Sequence, residues 1–279
     1  MIGFAKADIG TETHQPRDYC EPTAALGRQM LKNDVFNGNA ILSSLRGKEK
    51  TLALEEGEVV DVKVHQTIYQ PEERITEAYF PLGAILSVVA QMKDGGMIEI
   101  GTIGREGTSA VPLLMGAETS ANESFCQVPG KAWKMPAQTF RSLLATSQSF
   151  REFLNRYLQA YVNMLGQLAA CNRLHSVYER CARWLLMTGD RVGSNEFPLT
   201  HEFLAIMLGS RRAGVTVAAA ILQKAGFIHY SHGTITIVDR TGLEATTCEC
   251  YRITTNQFGD LLSLRPAAID TSRRRARSR

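Results

Sequence analysis

Residues 197–228 read FPLTHEFLAIMLGSRRAGVTVAAAILQKAGFI and predict two short helices joined by a turn. Thr200 is a favourable N-cap residue, and Glu202 follows in the first turn, where the helix dipole stabilises an acidic side chain. Gly209 can adopt the left-handed conformation that ends a helix. The apolar residues between these signals share one helical face: Phe203, Leu204, Met207 and Leu208. A first helix is therefore expected to start near His201 and to end at Gly209.

A second helix is predicted to have begun by the fourth residue after Gly209. Its inward positions are apolar and follow at steps of three, one and three: Val215, Ala218, Ala219 and Leu222. Two short helices joined by a glycine turn form a helix-turn-helix. Residues 227–238 then read as two strands that turn at His232 and Gly233. A hairpin in this position is typical of a winged helix, and the alternative is a generic helical pair followed by a hairpin.

The outward face of the second helix suits contact with the major groove of DNA. It carries Arg211, Arg212, Ala213, Thr216, Val217 and Ala220. Arginine can bond guanine through a bidentate fork, and threonine or a small apolar group can contact the thymine methyl. A wing can contact phosphates, which fixes the register of a protein on the duplex. The predicted DNA-binding residues are Thr200, Ser210, Arg211, Arg212, Thr216 and His232.

Residues 57–136 have the pattern of an all-β domain, in which short runs rich in Val, Ile, Tyr and Phe alternate with turn residues. One hairpin is explicit, because residues 84–92 and 97–100 flank Asp94 and Gly95, which tolerate positive φ. Many short strands in this arrangement predict a jelly roll or a small barrel. The expected fold class is α+β, with an N-terminal jelly-roll-like β-roll, a long dimerisation helix and a C-terminal winged helix-turn-helix.

A long helical segment follows the β domain. Some of its apolar residues recur at alternating steps of four and three, as in the seam of a two-stranded coiled coil. The predicted dimer interface consists of Leu154, Leu158, Tyr161, Leu165 and Leu168. A second apolar stripe consists of Phe153, Tyr157, Met164 and Cys171. One helix cannot bury both faces against one small barrel, so a homodimer is predicted; the alternative is a monomer whose helix packs only on its own β domain.

Composition and charge restrict the function classes. The net charge is +3, and without the five arginines of the last eight residues the chain holds 26 basic and 28 acidic residues. Any contact with nucleic acid must therefore come from a local basic surface. No secretory signal is visible at the N-terminus, and the longest uncharged apolar run, residues 80–92, is too short to span a bilayer. A cytoplasmic protein without membrane contact is expected.

These features together resemble the Crp/Fnr family of bacterial transcription regulators over most of residues 40–240. The segments that carry the resemblance are AYFPLG at 78–83, GREG at 104–107, LTHEFLAIMLG at 199–209, RAGV at 212–215 and LQKAGFI at 222–228. The resemblance implies a β-roll like that of cyclic-nucleotide-binding domains, a long dimer helix and a winged helix that binds a palindromic operator. It implies a homodimer with double-stranded DNA as its partner, and it allows a contact with RNA polymerase.

The chain divides accordingly into five predicted parts. They are a flexible leader at 1–34, a cyclic-nucleotide-binding-like sensor domain at 35–146, a dimerisation helix and connector at 147–187, a winged helix-turn-helix domain at 188–245, and a C-terminal extension with a basic tail at 246–279. Residues 187–195 are polar and contain glycine, so they predict a hinge before the last compact unit.

The resemblance places a candidate effector pocket at Gly104, Glu106 and Gly107, where Glu106 would bind a ribose hydroxyl. The family's phosphate-binding Arg-Ser pair has no counterpart, because no arginine occurs at residues 106–140. An anionic phosphate buried without its cation is strongly disfavoured, so cyclic AMP is not expected to bind in the usual way. The family's oxygen sensors hold an iron–sulfur cluster on N-terminal cysteines. Since only Cys20 lies there, no cofactor is predicted.

The resemblance matches Arg212 to a family arginine that reads a base, whereas the usual acidic and second basic readers fall on Ala213 and Val217. The preferred operator should therefore differ from that of relatives. Gly214 also weakens the helix by up to about 1 kcal/mol relative to alanine. These departures leave open an alternative, a dimeric sensor or interaction protein with weakened DNA binding.

The cysteines raise the further possibility of a metal- or redox-responsive site. Cys171 and His175 are one helical turn apart, and Cys181, Cys248 and Cys250 are additional ligand candidates. Their spacing is not that of a standard zinc site, so no metal is assigned. An enzyme is not predicted, because the chain has no P-loop, no Gly-x-Ser-x-Gly elbow and no His-Glu-x-x-His motif.

Overall fold

The computed structural model describes residues 36–263, and its first domain is a β-roll of two antiparallel sheets. The strands are β1 Glu58–Val62, β2 Thr67–Tyr69, β3 Glu77–Pro81, β4 Ile85–Gln91, β5 Met97–Ile103, β6 Glu123–Val128 and β7 Gly130–Pro136. One sheet has the order β1-β7-β3 and the other β2-β6-β4-β5. The predicted hairpin is confirmed as β4 and β5, with Gly95 at a φ of 85° in its turn. The predicted leader and the arginine tail lie outside the described residues.

Three short helices pack around the roll: α1 Gly47–Glu56, α2 Val111–Leu114 and α3 Ala137–Thr146. The interior is filled by large aromatic side chains that are fully buried: Phe36, Phe80, Trp133, Phe140 and Phe150. The Trp133 and Phe36 rings meet edge to face with centroids 5.1 Å apart. A Cβ at Gly57 would collide with the Trp133 ring, so the turn after α1 lies directly against this core.

Two helices lead from the roll to the C-terminal domain, α4 Gln148–Leu174 and α5 Val177–Val192. The Ser176 side chain begins α5 with a capping box that includes Glu179. The predicted hinge at 187–195 is wrong for most of its length, because α5 continues to Val192 and the chain turns only at Gly193, which has a φ of 71°. Burial of Met187 and Arg191 against the roll stabilises helix where the local glycine content suggests a break.

The predicted dimer seam on α4 is largely covered within the chain. Leu154, Tyr161 and Leu168 are at most 7% exposed, because they pack into the core of the roll. The prediction that these three residues lie between two copies is therefore wrong. Leu158 and Leu165 are half-buried and remain partly accessible.

The second apolar stripe of α4 is covered by the C-terminal extension. Helix α9, Cys250–Ser263, packs along α4, and the Phe258 ring lies 6.4 Å from the Tyr157 ring. The two apolar stripes of α4 predicted one face against the roll and the other against a second copy. Because α9 supplies a cover from the same chain, the free surface of α4 is the strip that contains Leu158, Val162 and Leu165.

The C-terminal domain is a winged helix, which confirms the predicted α+β class. It consists of β8 Glu196–Pro198, α6 His201–Met207, α7 Arg212–Lys224, β9 Ile228–Ser231 and β10 Thr234–Ile237, followed by α8 Arg240–Thr246. Its sheet has the order β8-β10-β9. Between residues 36 and 263, no single helix is long and apolar enough to cross a membrane; α6 and α7 meet that criterion only as a pair bent by 111°.

Candidate nucleic-acid interface

The helix-turn-helix is formed by α6 and α7, and the predicted signals set its boundaries. The Phe203 N–H donates a 3.1 Å hydrogen bond to Thr200 Oγ1, which caps α6. Gly209 has a φ of 54°, and a Cβ there would collide with the Ile98 side chain. The left-handed backbone therefore favours glycine here, and the Ile98 side chain would have to shift to admit a larger residue. The 111° bend between the two helices is typical of a helix-turn-helix.

Helix α7 presents the predicted outward face to solvent. It buries Val215, Ala218, Ala219 and Leu222. The exposed residues at its start and on its outer face are Arg211, Arg212, Ala213, Gly214, Thr216, Val217 and Ala220. Neither Arg211 nor Arg212 forms an ion pair with any residue from 36 to 263. Both guanidinium groups are therefore accessible to an anionic or hydrogen-bond-accepting partner.

Arg180 of α5 holds the turn between the two helices. Its Nη1 donates to the Leu208 carbonyl at 2.9 Å and to Asn172 Oδ1 at 3.1 Å, and its Nη2 donates to Ser210 Oγ at 2.8 Å. Ser210 Oγ in turn donates to the Leu208 carbonyl at 3.2 Å. Ser210 was predicted to contact DNA, but here its hydroxyl is engaged inside the protein. Sequence reasoning missed Arg180, because nothing in its local sequence indicates that the side chain is buried.

Stacked rings tie the wing to the helix-turn-helix. The His201 ring lies on the Tyr230 ring of β9 with centroids 4.4 Å apart and planes at 23°, and His201 Nδ1 lies 3.4 Å from Thr216 Oγ1. Burial and the positive charge of Arg212 lower the pKa of His201, which favours the neutral form of its ring. At the wing tip, His232 is exposed with a φ of 49°, in the predicted turn.

The β-roll contacts the helix-turn-helix through the β4–β5 hairpin. A groove of about 640 Å³ separates them, lined by Met92 and Ile98 on the hairpin and by Ile206 and Arg212 on the other side. The hairpin therefore lies next to the start of α7.

Glu99 is buried where the hairpin meets α5. Its carboxylate accepts hydrogen bonds from Ser87 Oγ at 2.8 Å, Thr102 Oγ1 at 2.8 Å and Trp184 Nε1 at 3.2 Å. Burial raises the pKa of Glu99, and the hydrogen bonds from Thr102 and Ser87 offset part of that rise. Sequence reasoning did not find this contact between the two domains, because an isolated Glu in a strand looks like a surface residue.

Replacing Glu99 by glutamine is expected to change how stability depends on pH. The pKa of Glu99 is higher in the folded protein, so its stabilising contribution is complete below about pH 4.3 and is lost as the pH rises through the folded-state pKa. As the pH rises above about 4.3, the free energy of unfolding of the wild type should therefore fall relative to that of Glu99→Gln, by about 1.4 kcal/mol per pKa unit of difference between the folded and unfolded states. Denaturant unfolding at several pH values measures this, with the exposed Glu55→Gln as control; parallel pH profiles would contradict it.

The candidate effector residues are engaged with other parts of the protein. Glu106 Oε1 accepts hydrogen bonds from Arg191 Nε at 2.8 Å and from the Gly104 N–H at 3.2 Å. The Arg191 side chain occupies the space in which a Cβ at Gly104 would lie. The Tyr157 side chain occupies the corresponding space at Gly107. The two glycines therefore face protein side chains rather than an open pocket. A cavity of about 170 Å³ beside Glu106 is bounded by α5 and α9.

Comparison with known proteins agrees with this architecture. The family model described as the Crp-like helix-turn-helix domain matches residues 179–246. No curated protein matches the chain in sequence. Among solved structures, a putative Crp/Fnr transcriptional regulator from Eubacterium rectale is 21% identical, with 75% of this chain and 98% of that chain covered and a TM-score of 0.60.

Two further solved structures have the same fold. A CRP-family transcriptional regulator from Thermus thermophilus is 18% identical, with 67% of this chain and 95% of that chain covered and a TM-score of 0.58. FixK2 from Bradyrhizobium japonicum is 12% identical, with 69% and 98% covered and a TM-score of 0.60. These matches confirm the predicted resemblance: the chain has the fold of Crp/Fnr regulators and carries a Crp-like helix-turn-helix domain.

Proposed function

We propose that this protein is a transcription regulator that binds duplex DNA as a homodimer in the cytoplasm and has no enzymatic activity. The observation that carries the proposal is the exposed start of α7, where Arg211 and Arg212 have no ion-pair partner among residues 36–263. Side chains near the N-terminus of a recognition helix reach base edges in the major groove. Two uncompensated arginines at that position favour a polyanionic duplex over an apolar partner.

The outer face of α7 suits a restricted set of base contacts. Arg212 can bond the O6 and N7 acceptors of guanine, and Thr216 can contact a thymine methyl or a hydrogen-bonding base edge. Ala213 and Val217 present only apolar surface, so the operator should differ from those read by an acidic and a basic side chain at these positions. Thr200 at the start of α6 and His232 at the wing tip are exposed, and we assign phosphate contacts to both.

The remaining free face of α4 supports homodimerisation. Leu158, Val162, Leu165 and Ala169 follow one another at steps of four, three and four. Val162 is 50% exposed, and Gly166 and Ala169 beside it are small and exposed, which permits close approach of a second helix. A twofold dimer would present two recognition helices to the two halves of a palindromic operator. RNA polymerase is a further proposed partner, on the family resemblance alone.

We further propose that cyclic AMP does not control this regulator in the usual way. Glu106 is paired with Arg191, and residues 106–140 contain no arginine to bind a cyclic phosphate. Calorimetric titration with cyclic AMP should therefore show no binding at micromolar concentrations; micromolar or tighter binding would contradict the proposal.

Replacing Arg212 by alanine is expected to cost about 1–3 kcal/mol of binding free energy on the preferred duplex and to relax preference at one base pair. Selection from random duplexes by the purified wild type identifies that duplex and its symmetry. Arg252→Ala, which removes an exposed arginine of α9, is the matched control, and His232→Ala should weaken binding to all sequences alike. An unchanged selection profile for Arg212→Ala would remove the base-reading role of this residue.

One observation favours a second candidate function, a dimeric interaction protein with weakened DNA binding. Val217 and Ile221 on α7 are 60% and 48% exposed, and exposed apolar side chains on one helix also suit contact with a protein partner. Selection that enriches no duplex, with affinity that does not fall as salt rises, would support this alternative.

A further inference from the structure

Four side chains with ligand atoms converge at the C-terminal end of α4. Cys171 and His175 come from the last turn of α4 and its C-cap, and Cys248 and Cys250 lie just before and at the start of α9. Their sulfur and nitrogen ligand atoms all lie within 4.8 Å of one another. Cys181 was a further candidate in the sequence, but it belongs to a separate apolar core.

The distances in this group match a single tetrahedral ion. Cys171 Sγ lies 3.6 Å from Cys248 Sγ, and Cys250 Sγ lies 3.5 Å from His175 Nδ1. Zn–S bonds of about 2.3 Å and Zn–N bonds of about 2.0–2.1 Å at the tetrahedral angle separate two sulfurs by about 3.8 Å, and a sulfur from a nitrogen by about 3.6 Å. The ligands of an iron–sulfur cluster bind several iron atoms and lie farther apart, so the group has the size of a mononuclear site.

Neighbouring side chains orient two of the four ligands. His175 Nε2 lies 3.2 Å from Glu249 Oε2, which keeps the imidazole proton on Nε2 and leaves the Nδ1 lone pair directed at the cysteines. Gln167 Nε2 donates a 3.0 Å hydrogen bond to Cys250 Sγ. A sulfur that accepts a hydrogen bond is stabilised as a thiolate, the form that binds metal.

Buried positive charge also lies beside the cysteines. Arg180 and Arg183 are 7% and 4% exposed, and neither forms an ion pair in the part of the chain that the structure describes. The charges of both arginines act on Cys171 and Cys248, and the charge of Arg183 also acts on the buried Glu99 carboxyl. Buried cations are costly unless a negative charge compensates them. Three thiolates around a divalent ion carry one net negative charge, which three neutral thiols do not supply.

We propose that Cys171, His175, Cys248 and Cys250 bind one zinc ion in a closed Cys3His structural site. Three sulfurs bind as thiolates and the imidazole binds as the neutral form, so the thiol protons pass to solvent and affinity rises with pH. The ion joins α9 to α4, next to Arg180, which holds the turn of the helix-turn-helix. Zinc binding at this site does not depend on DNA binding.

Metal analysis of the full chain, purified without a metal-binding tag, should find one zinc ion per chain. After reduction and removal of zinc, the wild type should take up one cobalt ion and develop the visible absorption of a tetrahedral cobalt–thiolate centre. In competition with a chromophoric chelator, Glu249→Gln should bind zinc about 10–100-fold more weakly and Cys248→Ser more weakly still. Since the Glu249 side chain is 68% exposed, its change tests the site without disturbing the core.

Cys126→Ser and Cys181→Ser are the matched controls, because each removes a buried cysteine outside the group and should leave zinc affinity unchanged. Three outcomes would overturn the proposal. The first is wild type that lacks metal and takes up no cobalt, and the second is a Cys171–Cys248 disulfide whose reduction yields no metal binding. The third is equal zinc affinity for Cys248→Ser and the controls.

Discussion

Replacing Val162 by glutamate is expected to give a monomer whose affinity for a palindromic duplex is lower by about 100-fold or more. Val162 is half exposed at the centre of the proposed helix pair, so the variant would place two uncompensated carboxylates opposite each other in an apolar interface. A monomer contacts one half-site only. The loss follows from the avidity of two linked sites, which exceeds that of one site by about 10²–10⁴-fold.

Analytical ultracentrifugation measures the oligomeric state, and titration of a palindromic duplex and of its single half-site measures affinity. Ala170 is an exposed residue of α4 that does not belong to the proposed contact face of Leu158, Val162, Leu165 and Ala169. The Ala170→Glu variant adds the same charge there and should remain dimeric. A Val162→Glu protein that stays dimeric would show that the copies associate through another surface. Equal affinities for half-site and palindrome in the wild type would contradict the linked-site argument.

Replacing Arg191 by methionine is expected to lower the free energy of unfolding by about 3–5 kcal/mol. The Arg191 and Glu106 side chains are only 9% and 17% exposed, and the ion pair joins α5 to the loop after β5. Arg191 Nη1 also donates to the Met187 carbonyl at 3.2 Å, and its guanidinium lies 6.0 Å from the centre of the Phe258 ring. Removing the cation leaves a mostly buried carboxylate without its partner, which costs more than the pair contributes.

Denaturant unfolding at one fixed protein concentration measures this loss, since dimer stability depends on concentration. The double variant Arg191→Met/Glu106→Gln should recover a large part of it, because the uncompensated charge is gone. Lys131→Met, which breaks the exposed pair with Asp61, should change stability by no more than about 1 kcal/mol. A double variant no more stable than Arg191→Met would show that Arg191 acts through packing rather than through Glu106.

Most of the winged helix was predictable because its signals are local. Thr200, Gly209 and the turn at His232 act through their own backbone and a few neighbours, and all three lie where the sequence places them. The β4–β5 hairpin follows for the same reason from Asp94 and Gly95. The periodicity of α4 correctly predicted apolar faces, but it assigned Leu154, Tyr161 and Leu168 to the wrong partner.

The contacts between distant segments were not predictable, because each depends on where the chain returns. Glu106 and Arg191 are 85 residues apart, and no local spacing indicates that they meet. Cys171 and Cys248 are 77 residues apart, so their residue type makes them ligand candidates but does not bring them together. The polar stretch at 187–195 suggests a hinge, but burial of Met187 and Arg191 keeps most of it helical. Ser210 has the position of a DNA contact in the sequence, yet Arg180 holds its hydroxyl inside the protein.

The sequence by itself determined the helix-turn-helix, the wing, the β-roll class and the lack of an arginine for a cyclic phosphate. Each of these depends on residue types within a short segment, where backbone preference and local hydrogen bonds decide the outcome. Only the tertiary structure decided which face of α4 stays free, that Glu106 is paired with Arg191, and that three cysteines and a histidine meet. These outcomes depend on burial and charge compensation between segments far apart in sequence, which the folded path of the chain alone brings together.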